Sequence, residues 1–353
     1  MKITVERTKN PKQKPASEHL VFGNTFSDHM FICDYSTEKG WHDARIIPYQ
    51  NISIPPSNMT LHYGQSIFEG LKAYKTADKK VNLFRPIENI RRLNASCIRM
   101  CIPPIDEAFG VEAIKTLVDV DRDWIPEEEG TSLYIRPFIF ATDAHLGVRP
   151  SNTYSFVIIT GPVGAYYKEG INPVKIYVES KYVRAVVGGL GEAKAAANYA
   201  ASLKAQVEAK EKGYTQVLWL DGVEKKYIEE VGTMNVFFII GNEVVTPKLT
   251  GSILPGITRK SSVDLLKSWG YETNERRITI QEVYDAHEKG QLKEVFGTGT
   301  AAVISPVGEL NWNGNAIQIG DGKTGPVSQR LYDTMTGIQY GKLPDTMNWI
   351  VRV

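Results

Sequence analysis

The sequence predicts an α+β fold divided between two domains, and three observations carry this. The chain has 353 residues, and at roughly 150 residues per domain that length accommodates about two. Strand-like apolar runs follow one another across short turn signals, which is antiparallel order rather than the strand–helix alternation of a doubly wound sheet. Helical periodicity occupies separate stretches between those runs. Hydrophobic residues at 42% and charged residues at 23% are ordinary for a globular protein with a large core.

The elements follow in order. The lead, MKITVERTKNPKQKPASEHL, is rich in Lys and Pro and contains Glu6 and Glu18. It resembles neither a signal peptide nor an acid-poor mitochondrial presequence, so a flexible arm is expected. Residues 67–75 and 80–85 read as strands separated by Thr76-Ala77-Asp78-Lys79. A helix is predicted over 87–101, with Pro86 in its first turn and Ile90, Leu93, Cys97 and Cys101 at helical spacing. Residues 156–159 read as a buried strand. Residues 161–173, with three glycines and two prolines, mark the expected boundary. They divide a small N-terminal α/β domain (1–165) and a linker (166–178) from a large C-terminal domain (179–353).

In the second half, a helix is expected over 192–211, capped by Gly213. Gln216–Leu220 reads as a strand closed by Asp221-Gly222. Residues 236–240 form another, closed by Gly241-Asn242 before Glu243-Val244-Val245. Helices are expected over 257–269, with Val263, Leu266 and Trp269 on one face, and over 327–338, opened by Pro326.

Charge excludes several functions. Lys+Arg is 41 against Asp+Glu 40, which removes the electrostatic motive for nucleic acid or an anionic membrane. It leaves room for a local basic pocket that takes one phosphate. The apolar runs are too short to span a bilayer. Cys33, Cys97 and Cys101 are the three cysteines. They form neither a disulfide framework nor a zinc motif, and are read as reduced core residues of a cytoplasmic protein. The histidines show no metal-binding spacing, so no metal is expected.

Common phosphate motifs fail. Gly322-Lys323-Thr324 lacks the Walker glycine, having Ile317 in its place. Gly189-Leu190-Gly191 is followed by Lys194 where a dinucleotide fingerprint needs Gly or Ala. Two short segments could still cradle a phosphate with backbone N–H groups: Gly297-Thr298-Gly299-Thr300-Ala301-Ala302 and Leu254-Pro255-Gly256-Ile257-Thr258. Lys194 stands among small side chains that leave room for a bulky group. Taken singly, each fits an ordinary turn or a solvated lysine better.

Together they do not stand alone. LVFGNTFSDHM, LHYGQSIFEGLKAY, LFRPIENIRRL, GTSLYIRPF, HLGV, GPVGAYY, VGGLGEAKAAANY, EEVGTMNVFF, ILPGITR and FGTGTAA occur in this order. On these motifs the chain resembles the branched-chain aminotransferases, pyridoxal-phosphate enzymes of fold type IV (D-amino acid aminotransferase-like). The resemblance runs from about residue 20 to 349.

It implies a ping-pong transfer of nitrogen from leucine, isoleucine or valine to 2-oxoglutarate, with pyridoxal 5′-phosphate as cofactor. Lys194 is implied as the Schiff-base lysine and proton-transfer base. Glu230, rather than its neighbour Glu229, would face the pyridine nitrogen; adjacent strand residues point to opposite faces. Tyr199 would bond the phenolic oxygen. Arg92, rather than Arg91, would hold the phosphate with Ile257, Thr258 and Thr300. Phe22, Tyr63, Phe68, Tyr134, Tyr199, Thr233 and Met234 would receive the aliphatic side chain. Leu146 and Val148 would reach that pocket from the other subunit of a homodimer. Thr300 and Ala301 would bind the α-carboxylate and Arg136 the γ-carboxylate of glutamate.

One departure is Ala302 and Ser305, where some members carry a CxxC pair; thiol redox control is therefore not expected. A D-amino-acid transaminase or aminodeoxychorismate lyase would share Lys194 and differ at Tyr63, Arg136 and the 146–148 loop. A non-catalytic binding protein would have no reason to keep Lys194, Tyr199, Glu230 and Arg92 together.

Overall fold

The computed structural model describes residues 1–164 and 171–353. They form two compact units. The first comprises Met1–Tyr166, Ala193–Ala196 and Gly337–Val353, and the second Tyr167–Glu192 and Ala197–Thr336. Among the described residues no helix is long and apolar enough to cross a membrane.

The first unit contains β1 (Thr4–Val5), β2 (His29–Ser36), β3 (Gly40–Pro48), α1 (Met59–Tyr63), β4 (Ser66–Phe68), β5 (Leu71–Lys75), β6 (Val81–Phe84), α2 (Pro86–Arg99), α3 (Glu107–Val120), β7 (Ser132–Ala141) and β8 (Thr153–Val163). Its sheet runs β1-β3-β2-β8-β7-β5-β6, with the C-terminal strand Ile350–Arg352 beyond β6 and β4 beside β7. The long β7–β8 ladder runs antiparallel from Ser132↔Val163 to Ala141↔Tyr154. Phe31 of β2 meets Phe156 of β8 edge-on at 5.5 Å and Phe109 of α3 at 6.2 Å, which seats α3 on the sheet. Ile90, Leu93 and Cys97 of α2 are fully buried, as their spacing requires. A Cβ on Gly110 of α3 would lie 2.9 Å from Ile90, so the glycine permits the two helices to approach.

Four expectations are corrected here. The 67–75 run breaks at Glu69-Gly70. Phe68 pairs with Phe138 while Leu71 pairs with Ile135. A Cβ at Gly70 would lie 2.2 Å from the Tyr134 hydroxyl. Cys101 is not a core residue: α2 ends at Arg99, and Cys101 follows it, exposed, at φ 55. The N-terminal lead is held rather than loose. Thr4–Val5 pairs with β3, and the Thr8 and Lys12 N–H groups donate to His29 Nε2 (2.8 Å) and Asp28 Oδ1 (2.9 Å). Finally, Lys194 and residues 337–353 group with this unit rather than with the C-terminal domain.

The second unit contains β9 (Val174–Glu179), α4 (Ala196–Glu211), β10 (Gln216–Leu220), β11 (Ile228–Val231), β12 (Asn235–Ile240), β13 (Glu243–Pro247), α5 (Ile257–Ser268), β14 (Glu272–Arg276), α6 (Ile280–Glu288), β15 (Leu292–Gly299), β16 (Val303–Trp312), β17 (Asn315–Gln318) and α7 (Pro326–Gln339). The end residues of α4 and α7 fall in the first unit's segments. The sheet order is β11-β10-β9-β16-β15-β12-β13-β14, with β17 on β16. The expected hairpin is present: Gly241-Asn242 joins β12 to β13, and Ile240 pairs with Glu243. The sheet is nevertheless mixed. β9–α4–β10 and β13–α5–β14 are crossovers between parallel neighbours, a rhythm the turn signals did not reveal.

Residues 166–170 of the expected linker lie outside the described residues, and its remainder runs into strand β9. Asp221-Gly222 does not close a tight hairpin either. β11 returns only at Ile228, after a loop whose Val223, Glu224, Lys226 and Tyr227 N–H groups all donate to the Asp221 carboxylate.

Candidate active site

Lys194 is fixed through its backbone. Its N–H donates to Ser96 Oγ of α2 at 2.9 Å. Its carbonyl accepts from the Phe68 N–H of β4 at 3.0 Å, and Ala195 bridges Ile67. The side chain runs along Phe68, with Nζ 4.9 Å from the ring centroid. Burial and the Arg92 charge push its amine down, while Glu69 and Tyr134 push it back up; the result is about 8. Such an amine is available as a nucleophile or base near neutral pH.

Helix α2 supplies the charge around it. Asn89, Arg92 and Ser96 lie at i, i+3 and i+7, one buried polar face. Arg92 Nε and Nη2 donate to the two oxygens of Glu69 at 2.7 and 2.9 Å. Asn89 Nδ2 and the Gly70 N–H donate to the same carboxylate. Arg91 points elsewhere, exposed, to Glu107 at 3.0 Å.

Aromatic residues complete this group. The Phe22 and Tyr134 rings meet edge-on at 4.8 Å. Arg136 stacks on Phe68 at 4.6 Å and donates from Nη2 to the Tyr134 hydroxyl at 3.0 Å. Among the described residues its buried Nε has no hydrogen-bond partner. Phe22, Phe68, Tyr134, Arg136, Arg92 and Lys194 are thus brought together. Tyr63 is not among them: its hydroxyl donates to the Leu146 carbonyl. Tyr63, Leu146 and Val148 are exposed, and Tyr63 belongs with the 146–148 loop.

The second unit gathers another set. Tyr199, Glu230 and Thr233 line one small cleft with Arg184, Asn198, Ser202, Gly232 and Leu254. Glu230 is buried, accepts from the Leu254 N–H at 2.8 Å, and lies 3.3 Å from Arg184 Nε. Glu229 faces elsewhere. It accepts from the Ser252 hydroxyl and borders a separate cavity of about 430 Å³. Burial pushes its carboxyl up.

Ile257 and Thr258 open α5, whose first N–H groups have no helical acceptor and suit an anion. Gly256 at its cap lies against Asn235; a Cβ there would be 2.0 Å from Oδ1. Thr300 and Ala301 form the turn between β15 and β16, where Val303 adopts φ 62, unfavourable for a β-branched residue. Met234 packs against Gly297 and Gly299 of β15.

Glu69, Ser96, Asn89 and Arg184 were missed from the sequence. Glu69 stood inside a strand-like run, and Ser96 and Asn89 are polar positions on a helix read only by its apolar spacing. Nothing local links Arg184 to Glu230, 46 residues away.

The amino-transferase class IV family model matches residues 66–310. The chain belongs to this class. "Branched-chain-amino-acid aminotransferase 2" of Bacillus subtilis (strain 168) is 60% identical over 99% of this chain and 97% of its own length. The crystal structure of the Escherichia coli branched-chain amino acid aminotransferase superposes with TM-score 0.76 at 28% identity, over 92% of this chain and 98% of that one. The T.th. branched-chain aminotransferase complexed with N-(5′-phosphopyridoxyl)-L-glutamate gives 0.75 at 29%, over 91% and 97%. Within the class, this chain's place is with the branched-chain amino acid aminotransferases.

The cofactor of such enzymes is pyridoxal 5′-phosphate, and the residues fit it. In the first unit these are a lysine amine held at about 8 and a buried arginine on a fixed carboxylate; in the second, a buried carboxylate beside a tyrosine and a helix N-terminus.

Proposed function

We infer that this enzyme moves the amino group of leucine, isoleucine or valine reversibly to 2-oxoglutarate, giving branched-chain 2-oxo acids and glutamate. The observation that carries the reading is the group around Lys194, an amine held at about 8 against Phe68, with Tyr134 and Arg136 beside it.

Bound pyridoxal phosphate supplies the carbonyl that takes up nitrogen and the ring that withdraws electrons from Cα. Lys194 would carry the cofactor and, once displaced, take the Cα proton on Nζ and redeliver it. Arg92, Ile257, Thr258 and Thr300 would hold the phosphate. Glu230 would keep the ring nitrogen protonated and Tyr199 would donate to the phenolic oxygen. Phe22, Phe68, Tyr134, Thr233 and Met234 would enclose an aliphatic side chain. Arg136 would accept the γ-carboxylate of glutamate, letting one pocket serve both substrates. Thr300 and Ala301 would hold the α-carboxylate. Tyr63 would act with Leu146 and Val148 across a homodimer. We also assign the enzyme to the cytoplasm, in keeping with its free Cys33, Cys97 and Cys101.

Purified protein loaded with cofactor should form glutamate from L-leucine and 2-oxoglutarate. Turnover confined to D-alanine or aminodeoxychorismate would overturn the assignment.

A further inference from the structure

Glu69 is the most enclosed charge beside Lys194, and no step of the reaction described above uses it. Its side chain is 0% exposed. Burying a carboxylate this deeply is costly unless it is fully partnered. Here four donors converge on it: Arg92 Nε at 2.7 Å, Arg92 Nη2 at 2.9 Å, Asn89 Nδ2 at 2.8 Å and the Gly70 N–H at 3.1 Å. Burial alone would push the carboxyl up; Arg92, Lys194 and Asn89 more than offset this and hold it below the usual range.

The geometry has two consequences. A two-pronged fork removes the guanidinium's freedom to rotate, so Arg92 meets a ligand already oriented. The carboxylate also sets a negative charge against the positive one. Beyond the effect of burial, Arg92 pushes the Lys194 amine down and Glu69 opposes it. Backbone contacts make this a rigid unit. Glu69 donates its N–H to Pro137, and the preceding Phe68 donates to the Lys194 carbonyl.

We propose that Glu69 is a positioning residue: its carboxylate fixes the Arg92 guanidinium to receive the cofactor's phosphate and balances Arg92's charge beside Lys194. This rests on the reading of Arg92 as the phosphate residue.

The test compares the affinities of the full-length apoprotein for pyridoxal 5′-phosphate and for pyridoxal; their ratio isolates the phosphate's contribution. Arg92→Met should lower that ratio. Glu69→Gln, which cannot accept at both prongs, should lower it by roughly tenfold or more, the scale of a displaced charge-assisted hydrogen bond. The double variant should fall no further than Arg92→Met alone, since Glu69 acts through Arg92.

The pH midpoint of the reaction with pyridoxal gives a second readout, which a merely structural role would not move in opposite senses. It should fall in Glu69→Gln and rise in Arg92→Met. If Glu69→Gln fails to fold, Glu69→Asp replaces it; it should keep the midpoint and lose part of the ratio. A ratio unchanged in Glu69→Gln or Glu69→Asp, while Arg92→Met loses it, overturns the role of Glu69. A ratio unchanged in Arg92→Met overturns the reading of Arg92, and the proposal with it.

Discussion

Lys194 donates its backbone N–H to the Ser96 hydroxyl at 2.9 Å. Ser96 is fully buried and lies one helical turn beyond Arg92. The helix that carries Arg92 therefore also sets the height of the lysine. Ser96→Ala should leave that N–H unsatisfied and cost about 1–3 kcal/mol of stability. It should also lower kcat more than it raises the KM for leucine. Thermal unfolding and steady-state kinetics check both; unchanged kcat would separate Ser96 from the chemistry.

The lowered amine predicts a pH profile. The apoprotein's reaction with pyridoxal should accelerate through pH about 8, whereas an ordinary lysine would wait for about 10.4. The stability sign follows from the same shift. The folded value lies below the unfolded one, so the unfolded chain binds more protons between about 8 and 10.5. The penalty from Lys194 is therefore full below that window and is relieved as pH rises through it. Lys194→Ala should remove both the reaction and this contribution.

Arg136→Met should discriminate between the two substrates. The variant loses the guanidinium that stacks on Phe68 and donates to Tyr134 but keeps an apolar lining. The KM for 2-oxoglutarate should rise about tenfold or more, with that for leucine changing far less. Equal effects on both would remove Arg136 from recognition of the γ-carboxylate.

Asp221 offers a control away from the reaction. Its carboxylate organises a loop by accepting four backbone N–H groups. Burial would raise it, but those bonds bring it down to about 2. Its contribution is present above the ordinary value near 3.8 and is lost as pH falls toward about 2. Asp221→Ala should destabilise by roughly 1–3 kcal/mol and leave kcat intact. A large loss of kcat in a folded variant would mean that this loop serves the site.

If Leu146 and Val148 act on the partner's site, subunits can complement one another. Lys194→Ala and Val148→Asp should each be inactive alone. Refolded together, they should regain part of the activity in mixed dimers. No recovery, with dimers demonstrated by sedimentation, would place the 146–148 loop outside the site.

These outcomes also mark what the sequence could carry. The β12–β13 hairpin and helices α2, α5 and α7 were legible because turn chemistry and apolar spacing are local. The break at Glu69-Gly70 was not. It depends on the Tyr134 hydroxyl, 64 residues away, occupying the space of a Cβ. Helix α4 begins at Ala196 rather than residue 192 because Lys194 and Ala195 pair with Phe68 and Ile67 instead. The lead was read as loose because its anchors, Asp28 and His29, lie at the start of β2, distant in sequence. Among candidate site residues, Lys194, Glu230 and Arg92 emerged from motifs through the family resemblance. Their supports Ser96, Arg184 and Glu69 did not, since a buried polar partner looks like a surface residue in one dimension.

The most direct measurement is to reduce the cofactor-loaded enzyme with borohydride and find the labelled lysine by peptide mass spectrometry. Lys72 is the competitor, because burial also pushes its amine down to about 8. The account predicts the label on Lys194 alone. A label on Lys72, or its retention in Lys194→Ala, would contradict it.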